Sequence, residues 1–299
     1  ADTYGCIPSC PTSWATATSV RNYPGETVIN YDSQFNMDRS LTSVNYIIFQ
    51  GETRSRFVME GNNNPFLDGF RIVKLANHVR VSTTTVRNYF NNGIQTGGPA
   101  GGGQDPIGIE IINNEIRHNG DGNPSVDFHE HGIYPAGANG LLIEGNYVVD
   151  NFGSGIHVYH CCNTGVIIRG NIVEGTQVLT NNGTGIVLDG GIPTASGNII
   201  ENNLIIGKGA SAGRLGDCIA IFGDEGSSQA GTIVRNNTCY DVNVRGMIVW
   251  NSSVTGLVYR NNIVTRATDA IYYAPTSGVG YWSGAVIQTN ICQNQVGSE

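Results

Sequence analysis

Lysine is almost missing from this 299-residue chain: Lys74 and Lys208 stand beside 14 arginines and 24 acids, for a net charge of -8. With no basic stripe and an acidic balance, nucleic acid is not the expected partner. Charged residues reach only 13%, about half the ~25% of an ordinary domain. Ala, Leu, Glu and Lys are too scarce for a coiled coil or helical bundle. No apolar run approaches the ~18 residues of a membrane span. The seven cysteines form no pair of CxxC motifs, so a zinc site of that kind is absent.

Glycine and asparagine fill the space, with 41 and 33 residues, and 39% of the chain is hydrophobic. That is enough apolar material for a core and excludes a wholly disordered chain. The chain starts at Ala1 and not at Met, as expected of a mature, processed, secreted protein. Cys6 with Cys10, and Cys161 with Cys162, fit disulfides in an extracellular protein, or most cysteines are buried thiols.

One pattern recurs down the chain: a small residue, an apolar pair, a polar pair, Asn, then an apolar residue. It reads GIEIINNEI at 108–116, GLLIEGNYV at 140–148, GVIIRGNIV at 165–173 and GNIIENNLI at 197–205. It continues at 231–239, 256–264 and 284–292, with its asparagines at 114, 146, 171, 203, 237, 262 and 290. HVRVSTTTV at 78–86 fits with Thr84 in the Asn place. A second motif alternates with the first: GIQTG at 93–97, GIYPA at 132–136, GIHVY at 155–159, GIVLD at 185–189, CIAIF at 218–222, GMIVW at 246–250 and AIYYA at 270–274.

Short β segments repeating every 25–34 residues cannot bury their apolar faces singly. Stacked as coils they share one core. The expected fold is all-β: a single-domain right-handed parallel β-helix of roughly nine to ten coils. A β-sandwich would need hairpin turns and no fixed ladder. Residues 1–44 show no clean repeat and are expected to supply an N-terminal cap and first-coil segment, leaving 45–299 as the parallel β-helix. The Asn column is placed at a turn, where left-handed backbone is tolerated and amides bond from rung to rung. Ile111, Ile143, Ile168, Ile200, Val234, Tyr259 and Ile287 form one inward column, and Ile94, Ile133, Ile156, Ile186, Ile219, Met247 and Ile271 another.

The outward columns carry the chemistry. Glu144, Arg169, Glu201, Arg235 and Arg260 read as a surface ion-pair ladder. Beside them Leu142, Ile167, Ile199, Ile233 and Val258 form an aliphatic row suited to self-association, as does the C-terminal coil, which has no evident cap. The outward columns of the Gly-Ile strand mix Gln95, Tyr134, His157 and Tyr272 with Tyr159, Asp189, Phe222 and Trp250. Length variation flanks this strand, so loops raised on both sides would make a groove floored by it. The densest titratable cluster, Asp127-Phe128-His129-Glu130-His131, ends the longest insertion, and His157, Tyr159 and His160 follow one coil later. Imidazole and phenol groups placed together can move protons near neutral pH. HEH at 129–131 also has the i, i+2 spacing of a metal pair on a strand, and Asp217, Asp224 and Glu225 could hold calcium.

The NN-x-I and HGIY…GIHVY pattern over residues 78–292 resembles secreted bacterial right-handed parallel β-helix repeat proteins of the pectate-lyase-like superfamily. That resemblance implies polysaccharide lyases, uronan C5-epimerases or glycoside hydrolases. GDCIAI at 216–221 is similar to the DDCIAI of polygalacturonases, which maps an acid onto Asp217. DFHE at 127–130 is similar to the DPHE of mannuronan epimerases, which maps Asp127 and His129.

The expected function is a secreted protein that holds a polysaccharide in this groove and cleaves a uronic-acid-containing glycan by β-elimination. His157 and His131 are the candidate bases and Tyr134 or Tyr159 the acid, with His129 and Asp127 beside them. Arg71 and Gln95 would neutralise the carboxylate, with Glu130, His160, Asp189, Phe222, Trp250 and Tyr272 completing the binding face. Calcium is the one cofactor considered, and no metal ligand is assigned. The alternatives are a glycoside hydrolase using two acids from Asp189, Asp217, Asp224 and Glu130, and a non-catalytic adhesin, spike or filament module.

Overall fold

The computed structural model describes residues 15, 18–21, 29–30, 35–61, 68–97, 106–120, 130–137, 139–159, 164–175, 183–190, 195–207, 215–223, 229–242, 244–250, 255–274 and 284–293. They form a parallel β-helix with three ladders of strands. One ladder stacks the Gly-Ile strands, pairing Ile94, Ile133, Ile156, Ile186, Ile219, Met247 and Ile271 in register. A second stacks the strands of the aliphatic pair, from Val81 and Ile111 through Ile143 to Ile287. The long strands Phe35–Gln50 and Phe70–Ser82 run through both, joining them. The third is a ten-stranded parallel sheet, seven of whose strands directly follow a ladder Asn.

Both inward columns are buried from coil to coil, Ile133, Ile156 and Ile186 included, up to the last rungs, where Ile271 is half-buried. The last rung differs: Ile287 is 48% exposed, because no described coil stacks beyond it. The ladder also starts earlier than residue 45. Strands Thr18–Arg21 and Ile29–Asn30 pair parallel with Ile47–Gln50 and Met59–Glu60. Main-chain hydrogen bonds alone suffice for this pairing, so the first coil needs no side-chain motif and leaves none in the sequence.

The asparagines form the expected ladder. From Asn114 to Asn262, each main-chain N–H and each Nδ2 donates to Oδ1 of the next ladder Asn at 2.9–3.0 Å. Nδ2 also donates back to a carbonyl of the coil before, such as Ile143 for Asn171. Thr84 donates its N–H and its hydroxyl to Asn114. The left-handed residue, however, is the one preceding each ladder member: Thr83, Asn113, Gly145, Gly170, Asn202, Asn236, Asn261 and Thr289, with φ of 52–66°. The ladder Asn needs its side chain inside the turn, so its neighbour makes the bend.

On the outside, Glu144 pairs with Arg169 and Glu201 with Arg235, as the alternation of sign requires. The row Leu142, Ile167, Ile199, Ile233, Val258 is half-buried and not an exposed stripe. Exposed aliphatics lie instead on the ten-stranded sheet at Ile172, Ile263 and Ile291, on the last rung at Ile287, and at Ile107. Among the described residues no helix is long and apolar enough to cross a membrane.

Candidate functional site

The outward column of the Gly-Ile ladder runs from Arg71 to Gln95 to Tyr134. The pairing of Ile133 with Ile156 carries it on to His157, and from there to Val187, Ala220 and Ile248. Rungs lie ~4.8 Å apart, so neighbours in the column touch. Its character changes midway. Val187, Ala220 and Ile248 form a small buried apolar cluster with Phe222 packed against it. Arg71 to His157 offer polar groups, whereas the three rungs that follow are apolar.

Four rings gather there. Tyr134 stacks on Tyr159 at 6.0 Å between centroids and 19° between planes. His157 stands edge-on to both, at 5.5 Å from each. His131 lies 4.9 Å from Tyr134 and 4.6 Å from His157. Tyr134 points outward but is only 7% exposed, enclosed by the other three rings. His157 and Tyr159 are the half-buried members of the four.

His131 is held by a second side-chain ladder, at the corner before the Gly-Ile strand. Asn92 donates its N–H and Nδ2 to Asp68 Oδ1, at 3.1 and 3.0 Å. His131 donates its N–H to Asn92 Oδ1 at 2.7 Å, and Ser154 donates its N–H to His131 Nδ1 at 2.9 Å. The imidazole thus fills the acceptor place that a carboxylate or amide takes in the coils before. Its Nε2 lies 3.0 Å from His157 Nδ1. With both ring nitrogens engaged and the residue 2% exposed, His131 is placed to orient His157. Asn92 and Ser154 were not singled out from the sequence, although each falls two residues before an inward Ile, as His131 does.

The carboxylates are placed otherwise. Glu130 is buried and turned to the far flank of the corner: a Cβ on Gly120 would meet its Oε2 at 3.0 Å. Asp189 is buried one rung beyond Tyr159, beside Phe222. Asp217 is gripped by Arg245, with Nε and Nη2 donating to Oδ1 and Oδ2 at 2.7 and 2.9 Å. Burial nonetheless leaves its acid above the usual carboxylate range, against the pull of that arginine. The grip occupies the carboxylate that a calcium site would use. Among the described residues no group of three or more His, Cys, Asp or Glu side chains is arranged to hold a metal ion. Asp127, His129, His160, Asp224, Glu225 and the cysteines 6, 10, 161 and 162 lie outside the described residues, and Trp250 and Tyr272 are placed by their backbones alone.

One disulfide is present among the described residues, between Cys218 and Cys239 inside the core. The expected pairs did not include it.

Comparison with solved structures finds an endo-xylogalacturonan hydrolase from Aspergillus tubingensis at a TM-score of 0.56 and 10% identity, covering 95% of this chain and 92% of that one. An alginate lyase from Paenibacillus has a TM-score of 0.34 at 11% identity, covering 96% of this chain and 82% of that one. The A-module of an Azotobacter vinelandii mannuronan C-5 epimerase has a TM-score of 0.43 at 11% identity, covering 93% and 87%. At such identity the first of these shows a shared fold, and the fold leaves the chemistry open. A comparison with curated protein sequences finds no match. The model of the right-handed β-helix region matches residues 101–296, two thirds of the chain. With its stacked parallel coils and its Asn ladder, the chain belongs to the right-handed β-helix family.

Proposed function

We propose that this protein is secreted and acts on a polysaccharide laid along the outward face of the Gly-Ile ladder, over His157 and Tyr159. The observation that carries this reading is the four-ring cluster, with a stacked Tyr134–Tyr159 pair behind a half-exposed imidazole and phenol. Flat aromatic faces suit sugar rings, and a phenol and an imidazole side by side suit proton movement. Arg71 and Gln95, up the same column, extend the face with groups that favour a carboxylate. A uronic-acid-containing glycan is therefore the favoured ligand and β-elimination the favoured reaction, with Tyr159 exchanging the proton and Arg71 and Gln95 taking up charge. The shared fold with a xylogalacturonan hydrolase is in keeping with a glycan ligand. The core disulfide supports an oxidising, extracellular setting.

Hydrolysis by two carboxylates is the weaker reading, since Glu130, Asp189 and Asp217 are all buried. A non-catalytic binding module draws support from the exposed aliphatics of the ten-stranded sheet, which suit self-association. A panel of acidic and neutral polysaccharides, assayed for the ultraviolet absorbance of an unsaturated product and for reducing ends, separates the three. Elimination gives both signals, hydrolysis gives reducing ends alone, and a binding module gives neither.

A further inference from the structure

A backbone amide can only donate, so the bond from Ser154 N–H leaves His131 Nδ1 without a proton. A ring bare at both nitrogens would be an imidazolate, so the proton of His131 sits on Nε2. That nitrogen faces His157 Nδ1 at 3.0 Å, which must accept. The neutral His157 ring then carries its own proton on Nε2. The main chain of one coil thereby dictates the tautomer of a side chain on that same coil, through the imidazole of the coil before.

We infer that His131 is a positioning residue that fixes His157 as the Nε2–H tautomer, so that His157 serves this site as a hydrogen-bond donor and not as a base. The tautomer rests on geometry alone, and only its consequence for turnover rests on the glycan reading above. A neutral imidazole that donates without losing its proton stabilises negative charge on an oxygen, the need of an enolate-like or carboxylate group. Proton transfer then falls to another group, of which Tyr159 is the half-exposed one beside it. A protonated His157 would set Nδ1–H against Nε2–H, and only surrender of the Ser154 bond would relieve that clash.

The corner ladder supplies a dissection. One coil earlier Asn92 performs the structural half of the task, its Oδ1 accepting the next main-chain N–H. His131→Asn therefore keeps an acceptor for Ser154 and deletes the bond to His157, together with the ring contact on Tyr134. Long-range proton–nitrogen spectra of the labelled full chain should show protons on Nε2 of both rings, with coupling across the His131–His157 bond. A proton on Nδ1 of either ring overturns the inference. In His131→Asn the chain should still fold, its melting temperature lowered by the lost ring packing, while His157 gains a population protonated on Nδ1. Turnover of any glycan the wild type cleaves should fall about 100-fold or more. An unchanged His157 spectrum in this variant removes the positioning role. Spectra as expected with no glycan cleaved by wild type would leave the tautomer standing and sink the glycan reading instead.

Discussion

Cys218 and Cys239 are bonded across a corner of the coil at which neighbouring coils set a glycine against an aliphatic side chain. A Cβ on Gly132 would meet Val148 Cγ1 at 2.7 Å, one on Gly155 would meet Val173 Cγ1 at 2.4 Å, and one on Gly185 would meet Ile205 Cγ2 at 2.6 Å. Gly246 faces Val264 Cγ1 at 2.4 Å in the same way. At the 218–239 coil both members of the pair have become cysteine, with 5.8 Å between their Cα atoms. A bond has replaced a contact for which only glycine left room.

The register repeats this relation at the last coil. Ala270 follows Gly246 in the corner column, and Cys292, a free exposed thiol, follows Val264. Ala270→Cys is expected to bond with Cys292. Alkylation before mass measurement should then count no free thiol at Cys292. Closing a loop of about 20 residues contributes ~3 kcal/mol in chain-entropy terms, so the melting temperature should rise. A variant that retains two alkylatable thiols refutes the equivalence of the coils.

Asn171 accepts two hydrogen bonds from Asn146 and donates to Ile143 O and Asn203 Oδ1, all in the buried ladder. Asn171→Ala strands these partners without water. A loss of roughly 2–4 kcal/mol in denaturant unfolding is expected, as the cost of more than one unsatisfied buried group. Asn290 ends the ladder half-buried, so Asn290→Ala should cost clearly less. Equal losses at the two sites would contradict the ladder's role.

Tyr259 occupies a column otherwise filled by Ile and Val, and its hydroxyl is buried without a hydrogen-bond partner among the described residues. Burial pushes that phenol well above its ordinary pKa. Tyr259→Phe removes an oxygen that makes no bond and should leave stability unchanged or raise it by up to ~1 kcal/mol. A marked loss in thermal unfolding would reveal a partner for the hydroxyl.

Asp68 anchors the corner ladder, and burial raises its carboxyl above the ordinary 3.8 despite the bonds from Asn92 and the charge of Arg71. The folded state therefore holds this proton to higher pH than the unfolded chain does. Stability attributable to Asp68 is greatest below about pH 3.8 and declines as pH rises through the raised folded value. Asp68→Asn keeps an oxygen for both Asn92 donors and carries no charge. It should flatten that part of the stability–pH profile, and an unaltered slope would show that Asp68 does not titrate as its burial implies.

At the ring cluster, Tyr159→Phe should cut turnover by about 100-fold or more if its hydroxyl exchanges the proton, with little change in melting temperature. Glu144→Ala breaks an exposed ion pair on another face, costs less than about 1 kcal/mol, and should leave turnover near wild type. A fully active Tyr159→Phe protein moves proton transfer to a different group.

The sequence by itself determined the coil. Two interleaved motifs at fixed offsets dictate which Ile faces inward and which amide stacks, because a parallel stack repeats each local choice on every rung. The columns at Ile133 and Ile143 and the Glu144–Arg169 pair were legible for that reason. The start of the ladder at Thr18 was not, since main-chain pairing needs no particular side chain. Nor was the Cys218–Cys239 bond, which shows in the sequence only as two departures from the pattern 21 residues apart. Tertiary structure alone decided the site. Both His131 and His157 read as bases, and only the approach of Ser154 N–H to one nitrogen, and of one ring to the other, assigned them different roles. Period two says that Tyr134 points outward; the rings that close over it come from His131, three positions before it, and from the next coil, and no local pattern encodes that distance.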